Sequence, residues 1–210
     1  MNKLYYVCKY TPVELLTALG ADCANLNGMP QGFDRADQIA HPNLCGFGKA
    51  VLEQVMAGEV KELVLVNCCD TIRSVYDILA DSGKLDFLYL MDMLRSDGTC
   101  SRERTVEQLR DLAAAYGVYR GAAFDIQAFR RAFQPVERGM EPYISVLGAR
   151  MGKQLYDMVS KAMPYPVEND TCVNNRSVGE APPPEDGDFD SLMDWYAGEL
   201  LRQLPCMRMM

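Results

Sequence analysis

Eight cysteines occur in this chain of 210 residues, and two of them, Cys45 and Cys69, fall where the pattern predicts a helix to begin. Leu44, Phe47, Val51, Leu52 and Val55 recur at helical spacing over 44–59, with Gly58 in place to end the helix, so Cys45 stands at its start. Residues 62–67 hold a continuous apolar run bounded by the polar Glu62 and Asn67, as expected of a strand buried on both faces of a parallel sheet. That strand delivers Cys68 and Cys69 to its carboxyl end. Asp70 suits the N-cap of a helix over 71–83, so Cys69 abuts a second helix N-terminus, whose partial positive charge favours thiolate and anionic ligands. Two thiols offered from two helix starts form a soft-metal arrangement. Successive strand residues point to opposite faces, so Cys68 reads as a packing residue beside the ligand candidate Cys69.

The elements that must position these thiols alternate in type. A strand at Leu4–Cys8 leads into a helix for which Thr11 is the cap, Pro12 the first residue, Glu14 the far half of a Thr-x-x-Glu capping box and Gly20 the end. Residues 22–41, rich in Gly, Asn, Asp and Pro, read as loop. Beyond the central corner come a second buried strand at 85–93, a polar loop and a helix over 102–117 capped by Ser101 and ended by Gly117. Another helix is expected at Asp125–Phe133, then a strand at Tyr143–Leu147, a turn at Gly148, a helix from about Met151 and a short strand near 166–169. The Pro-rich, acidic stretch 179–188 reads as an extended connection to a last amphipathic helix. The fold class is therefore α/β: a parallel-sheet, flavodoxin/Rossmann-like three-layer domain over 1–138 that carries Cys45 and Cys69, followed by a partial second α/β lobe over 139–210. In such sheets ligands gather beyond the carboxyl ends of the strands, where Cys68, Cys69 and the Gly148 turn all fall.

A net charge of −8 and the lack of a basic patch argue against nucleic acid as a partner. No apolar run approaches the length of a membrane span and the amino terminus has no secretory pattern, so a soluble cytoplasmic protein with reduced cysteines is expected. His41, the one histidine, precedes Pro42 in a loop and reads as a surface residue. Leu147–Gly152 is too short for a phosphate-binding loop and reads as a tight strand-to-helix turn.

Five stretches share an order as well as a character: Tyr10-Thr-Pro-Val-Glu14, Asn43-Leu-Cys45, Asn67-Cys-Cys69-Asp70, Val146-Leu-Gly148 and Thr171-Cys-Val-Asn-Asn-Arg176. Together they resemble successive landmarks of the 2-hydroxyacyl-CoA dehydratase D-component family, which includes benzoyl-CoA reductase-like subunits. The resemblance covers nearly all of this chain but only the N-terminal part of a typical member. It implies an oxygen-sensitive [4Fe-4S] cluster, hence anaerobic chemistry, held by three cysteines in each subunit of a two-subunit lyase. Cys45 and Cys69 match the first two ligands. The third lies in the family's C-terminal portion, so neither Cys172 nor Cys206 inherits that role. The resemblance also implies an acyl-CoA substrate and an ATP-dependent activator protein that injects one electron, forming a ketyl radical anion from which water leaves. Glu14 becomes a candidate polar group near the substrate, and Arg176 a candidate partner for a CoA phosphate.

Two function classes follow. One is an iron-sulfur subunit completed by a second dehydratase-type subunit or by self-association. The other is a non-catalytic accessory or binding protein that keeps the N-terminal fold without a complete cluster site. A structural zinc site would want four protein ligands.

Overall fold

The computed structural model describes residues 2–93, 98–133, 141–148, 150–172, 176, 178 and 181–203. Four parallel strands form the main sheet: β1 (Leu4–Tyr6), β2 (Cys23–Asn25), β3 (Glu62–Val66) and β4 (Phe87–Met91), in the order β2-β1-β3-β4. Between them run α1 (Val13–Ala18), α2 (Asp34–Ile39), α3 (Gly46–Met56) and α4 (Asp70–Ser82), and after β4 come α5 (Thr99–Arg120) and α6 (Ile126–Ala132). A separate two-stranded parallel sheet pairs β5 (Ile144–Val146) with β6 (Val167–Asn169) through α7 (Lys153–Ala162), and α8 (Phe189–Arg202) follows.

The strand order explains the layers. The chain steps outward from β1 to β2, then returns across β1 to β3 and β4, so right-handed crossovers place α1 on one face and α3 and α4 on the other. Contacts agree: α1 packs on α5 and α6, and α5 on α8, whereas α3 packs on α2 and α4. This is the flavodoxin/Rossmann-like arrangement, and its reversal point lies between the carboxyl ends of β1 and β3. Every residue of β3 is buried: Leu63–Val66 as the apolar run requires, and Glu62 because its carboxylate pairs with Arg120 and accepts from the Tyr116 hydroxyl. Leu15 and Leu16 of α1, Val51, Leu52 and Val55 of α3, Leu109 and Leu112 of α5 and Leu192, Met193 and Leu200 of α8 complete one continuous core. Each such side chain contributes about 1.5–3 kcal/mol relative to exposure.

Several expectations change in detail. β4 is only half-buried over most of its length, because it is an edge strand with one unpaired side. The segment read as loop over 22–41 contains β2 and α2. The start of α2 is held from a distance: Glu53 of α3 accepts from the backbone N–H groups of Arg35 and Ala36 at 2.8 and 2.9 Å and pairs with the Arg35 guanidinium at 2.8 Å. The capping box of α1 does not form. Pro12 occupies the N-cap position, Thr11 Oγ1 is buried with no partner among the described residues, and the Glu14 carboxylate is engaged elsewhere. Cys69, rather than Asp70, is the N-cap of α4. Ser101 lies inside α5, which starts after Gly98 and runs past Gly117 to Gly121, whose φ of +63° ends it. α6 is capped by Asp125, whose side chain accepts from the Gln127 and Ala128 N–H groups. Residues 94–97 of the polar loop, 179–180 of the Pro-rich connection and Cys206 lie outside the described residues.

The β5-α7-β6 unit differs from the main sheet. α7 has no buried residue, and Leu155, Met158, Met163 and Tyr165 are 54, 68, 43 and 54% exposed.

Candidate functional site

The carboxyl edge of the main sheet is assembled from segments far apart in sequence. Just past β1, the Lys9 N–H donates to the Cys172 carbonyl at 2.9 Å, and the buried Lys9 ammonium donates to the Asp170 carbonyl at 2.9 Å. The Lys9 carbonyl accepts from the Arg176 guanidinium and, at 3.4 Å, from the Gln203 amide beyond α8. Arg176 also donates to the Thr11 carbonyl and pairs with Glu14 at 2.6 Å. Tyr196 of α8 donates its hydroxyl to the same Glu14 carboxylate. The two side chains singled out as substrate-binding candidates are thus brought together, and each is satisfied by the other.

Cys45 and Cys69 are the N-caps of α3 and α4, as the helix-start reading requires. Cys45 is exposed and Cys69 half-buried. Neither helix receives a side-chain hydrogen bond at its N-cap. The two N-termini are pressed together at Gly48, where an added Cβ would lie 2.5 Å from Thr71 Cγ2 and 3.2 Å from the Leu44 side chain. Only a glycine in the first turn of α3 allows the first turn of α4 this close.

Cys68 is buried, as the packing reading requires, and hydrogen bonds with the Cys69 and Cys8 thiols. The bond with Cys69 favours its thiolate, but the bond with Cys8 and burial outweigh it and push the thiol well above its ordinary range. Cys172 lies close enough to add to that shift. Cys8 and Cys172 therefore join Cys68 and Cys69 at this edge. Sequence reasoning gave Cys8 no role beyond ending a strand and set Cys172 aside as a ligand: the strand order, which sets the end of β1 beside the end of β3, brings Cys8 to the edge, and the Lys9–Cys172 backbone bond brings Cys172 there.

Arg150, in the turn between β5 and α7, crosses to the same place. Its guanidinium stacks over the Phe47 ring in the first turn of α3, 4.9 Å from the centroid, and donates through Nη2 to the Asn27 carbonyl. Nη1 is buried and has no acceptor among the described residues. Burial pushes the Arg150 pKa down, and the neighbouring Cys172 pulls the other way. No sequence signal marked this arginine.

Among the described residues, no group of three or more His, Cys, Asp or Glu side chains is gathered so as to hold a metal ion. Cys45 and Cys69 fit a thiolate-bound iron-sulfur centre by type and by placement at helix N-termini. Their number leaves the ligand set of such a centre incomplete.

The fold is a doubly wound α/β sheet with thiols beside its reversal point, the place where sheets of this kind gather ligands. The family model for 2-hydroxyglutaryl-CoA dehydratase, D-component, matches residues 8–169, and the chain belongs to that family. A search of curated proteins finds no match. No helix among the described residues is long and apolar enough to cross a membrane.

Proposed function

We propose that this chain is an iron-sulfur subunit of a radical 2-hydroxyacyl-CoA dehydratase or a related acyl-CoA reductase, working in the cytoplasm of an anaerobic cell. The observation that carries the reading is the contact of the α3 and α4 N-termini at Gly48 and Thr71, which sets Cys45 and Cys69 on neighbouring helix starts. Both thiols would ligate a [4Fe-4S] cluster, with Cys68 left in the core. When bound, the cluster supplies electron transfer and, toward an acyl thioester, Lewis acidity.

This chain's own residues hold and shield that place. The helix N-termini favour anionic sulfur over neutral thiol, and the ion pair of Glu14 with Arg176 fixes the loop that carries Cys172 against β1. Glu14 and Arg176 accordingly act on substrate through the shape of the edge. A cleft of about 390 Å³ between Arg73, Tyr76, Tyr89 and Gln108 lies at the same end of the sheet and offers room for part of an acyl-CoA. The third ligand and the wall that excludes water come from a second dehydratase-type subunit or a second copy, and an ATP-dependent activator delivers the electron. Residues 1–138 are the ligand-bearing domain in this reading, and 139–210 the partial lobe whose last helix returns to α5.

Anaerobic purification followed by an absorption spectrum and iron, sulfide and zinc analysis tests it. Iron and sulfide are expected in near-equal amounts, and Cys69→Ala should reduce both to background. Turnover should need the partner, activator, ATP and reductant together. A chain free of iron and sulfide that still binds its partner would instead be an accessory protein, and full iron loading in the Cys69→Ala variant would remove the assignment.

A further inference from the structure

Cys8 and Cys68 are 1 and 9% exposed, and the functional reading above gives neither a chemical role. The backbone brings them together from two strands. β1 and β3 pair in parallel with Tyr6 opposite Val64, and two residues further on the same register sets Cys8 opposite Val66. The Cys68 N–H then donates back to the Val66 carbonyl at 2.7 Å, a γ-turn that draws Cys68 toward the end of β1. On the facing strand the Thr11 N–H donates to the Cys8 carbonyl at 3.0 Å, so the chain turns there as well. The two thiols meet between these turns and hydrogen bond.

Cys69 completes a row. Its thiol also bonds to Cys68, and it is half-buried where the other two are closed off, so an oxidant entering from solvent meets Cys69 first. Core filling accounts for either buried thiol singly. It does not account for three in contact, running from the accessible edge to the interior.

We propose that Cys68 and Cys8 are the resolving pair of Cys69, and that oxidation received at Cys69 is passed inward and held as a Cys8–Cys68 disulfide. The oxidant is a hydroperoxide. Its O–O bond breaks as the Cys69 sulfur takes one oxygen and becomes the sulfenic acid, and the rest departs as an alcohol, or as water from hydrogen peroxide. The Cys68 thiol then displaces that oxygen, which leaves as water with the Cys68 proton, and a Cys68–Cys69 bond forms. Neighbouring Cα atoms stand about 3.8 Å apart and a relaxed disulfide spans about 4.4–6.8 Å, so this bond is strained and exchanges readily. Cys8 attacks the Cys68 sulfur, and Cys69 leaves with the Cys8 proton. In sum the Cys8 and Cys68 sulfurs lose one electron each, the peroxide gains both, and Cys69 ends as the thiol it began, spared the irreversible step to sulfinic acid. The inference goes beyond the functional reading, because neither Cys8 nor Cys68 is a ligand in it, and it concerns the metal-free chain.

The intact metal-free chain, reduced and then freed of reductant, is treated with one equivalent of hydrogen peroxide, blocked with a maleimide and mapped by mass spectrometry after trypsin without reduction. Cleavage after Lys3, Lys9, Lys61 and Arg73 puts Cys8 in the peptide 4–9 and Cys68 with Cys69 in 62–73. These two peptides are expected to be joined, with the maleimide on Cys69. Cys69→Ala should slow the linkage at least tenfold. Cys68→Ala should leave peptide 4–9 unlinked and, under excess peroxide, raise the sulfinic acid at Cys69 at least tenfold. If an alanine variant does not fold, the wild-type map still decides, because the position of the maleimide separates Cys68 from Cys69. A maleimide on Cys68 with Cys69 joined to Cys8, peptide 4–9 joined to one that carries Cys172, or oxidised Cys69 with no linkage overturns the proposal, as does an unchanged rate in folded Cys69→Ala.

Discussion

Glu14 stands where a Thr-x-x-Glu box would turn it back on its own helix, yet its carboxylate meets Arg176 and Tyr196, 162 and 182 residues away along the chain. The reason is local competition. Pro12 takes the N-cap position of α1, so no capping geometry is left for Thr11 or Glu14, and a nearby guanidinium is the stronger partner. The side chains of Arg176 and Glu14 are 17 and 13% exposed, which makes this a largely desolvated pair. Breaking such a pair by removing one member typically costs about 3–5 kcal/mol, since the other charge is left buried. Arg176→Met should therefore lower the unfolding free energy by about that amount in urea titrations. A change below about 0.5 kcal/mol, the range of ordinary surface substitutions, would show that Arg176 is not held this way. The sequence made Glu14 and Arg176 visible as separate candidates, but their pairing is a tertiary fact with no local trace. Arg150 and Cys172 are the same kind of case: each is ordinary in its own stretch and acquires meaning only from what the fold sets beside it.

At the level of elements, β3 and β4 were legible from their apolar runs, and Cys45 and Cys69 were legible as lying at helix starts because such starts have a local signature. β2 escaped because its three residues, Cys23-Ala-Asn25, carry no apolar run and are defined by pairing with β1. α2 escaped because what holds its first turn is Glu53, on another helix. The α3–α4 contact depends on a single hydrogen atom in place of a methyl group. Gly48→Ala would ordinarily stabilise a helix by about 0.5–1 kcal/mol. Here the added methyl meets the Cγ2 of a β-branched residue at 2.5 Å, and forcing extra carbon into a close-packed contact costs about 1–3 kcal/mol. The second effect is larger, so Gly48→Ala should be destabilising on balance, and adding Thr71→Ser, which removes the opposing methyl, should recover most of the loss. Chemical denaturation of the two single variants and the double variant checks this. Equal stability of Gly48→Ala and wild type would mean that the helix ends are not pressed together.

For the molecule as a whole, the main sheet is covered on both faces, whereas the β5-α7-β6 unit is not. Two-stranded sheets are marginal alone, and parallel pairs normally have both faces covered. Yet α7 exposes Leu155 and Met158, and Tyr165 follows it, equally open. A contiguous apolar face of this kind is covered by association in most soluble proteins. Sedimentation velocity should show an average mass that rises with protein concentration, and Met158→Glu should shift the transition to at least tenfold higher concentration. A single monomeric species throughout would count against it.

Lys9 is the knot of the carboxyl edge: its N–H, its carbonyl and its ammonium reach Cys172, Arg176, Gln203 and Asp170. The closing contacts span 161, 167 and 194 residues. Contacts between such distant segments add little entropy cost once formed, about 0.6 kcal/mol per doubling of loop length, but they are slow to find. A chain emerging from the ribosome can build α1, β3 and α4 early, yet it cannot finish the end of β1 until α8 has been made. The edge is completed only once the chain through Gln203 has emerged, so a ligand that needs the finished edge can be held from that point on and not before.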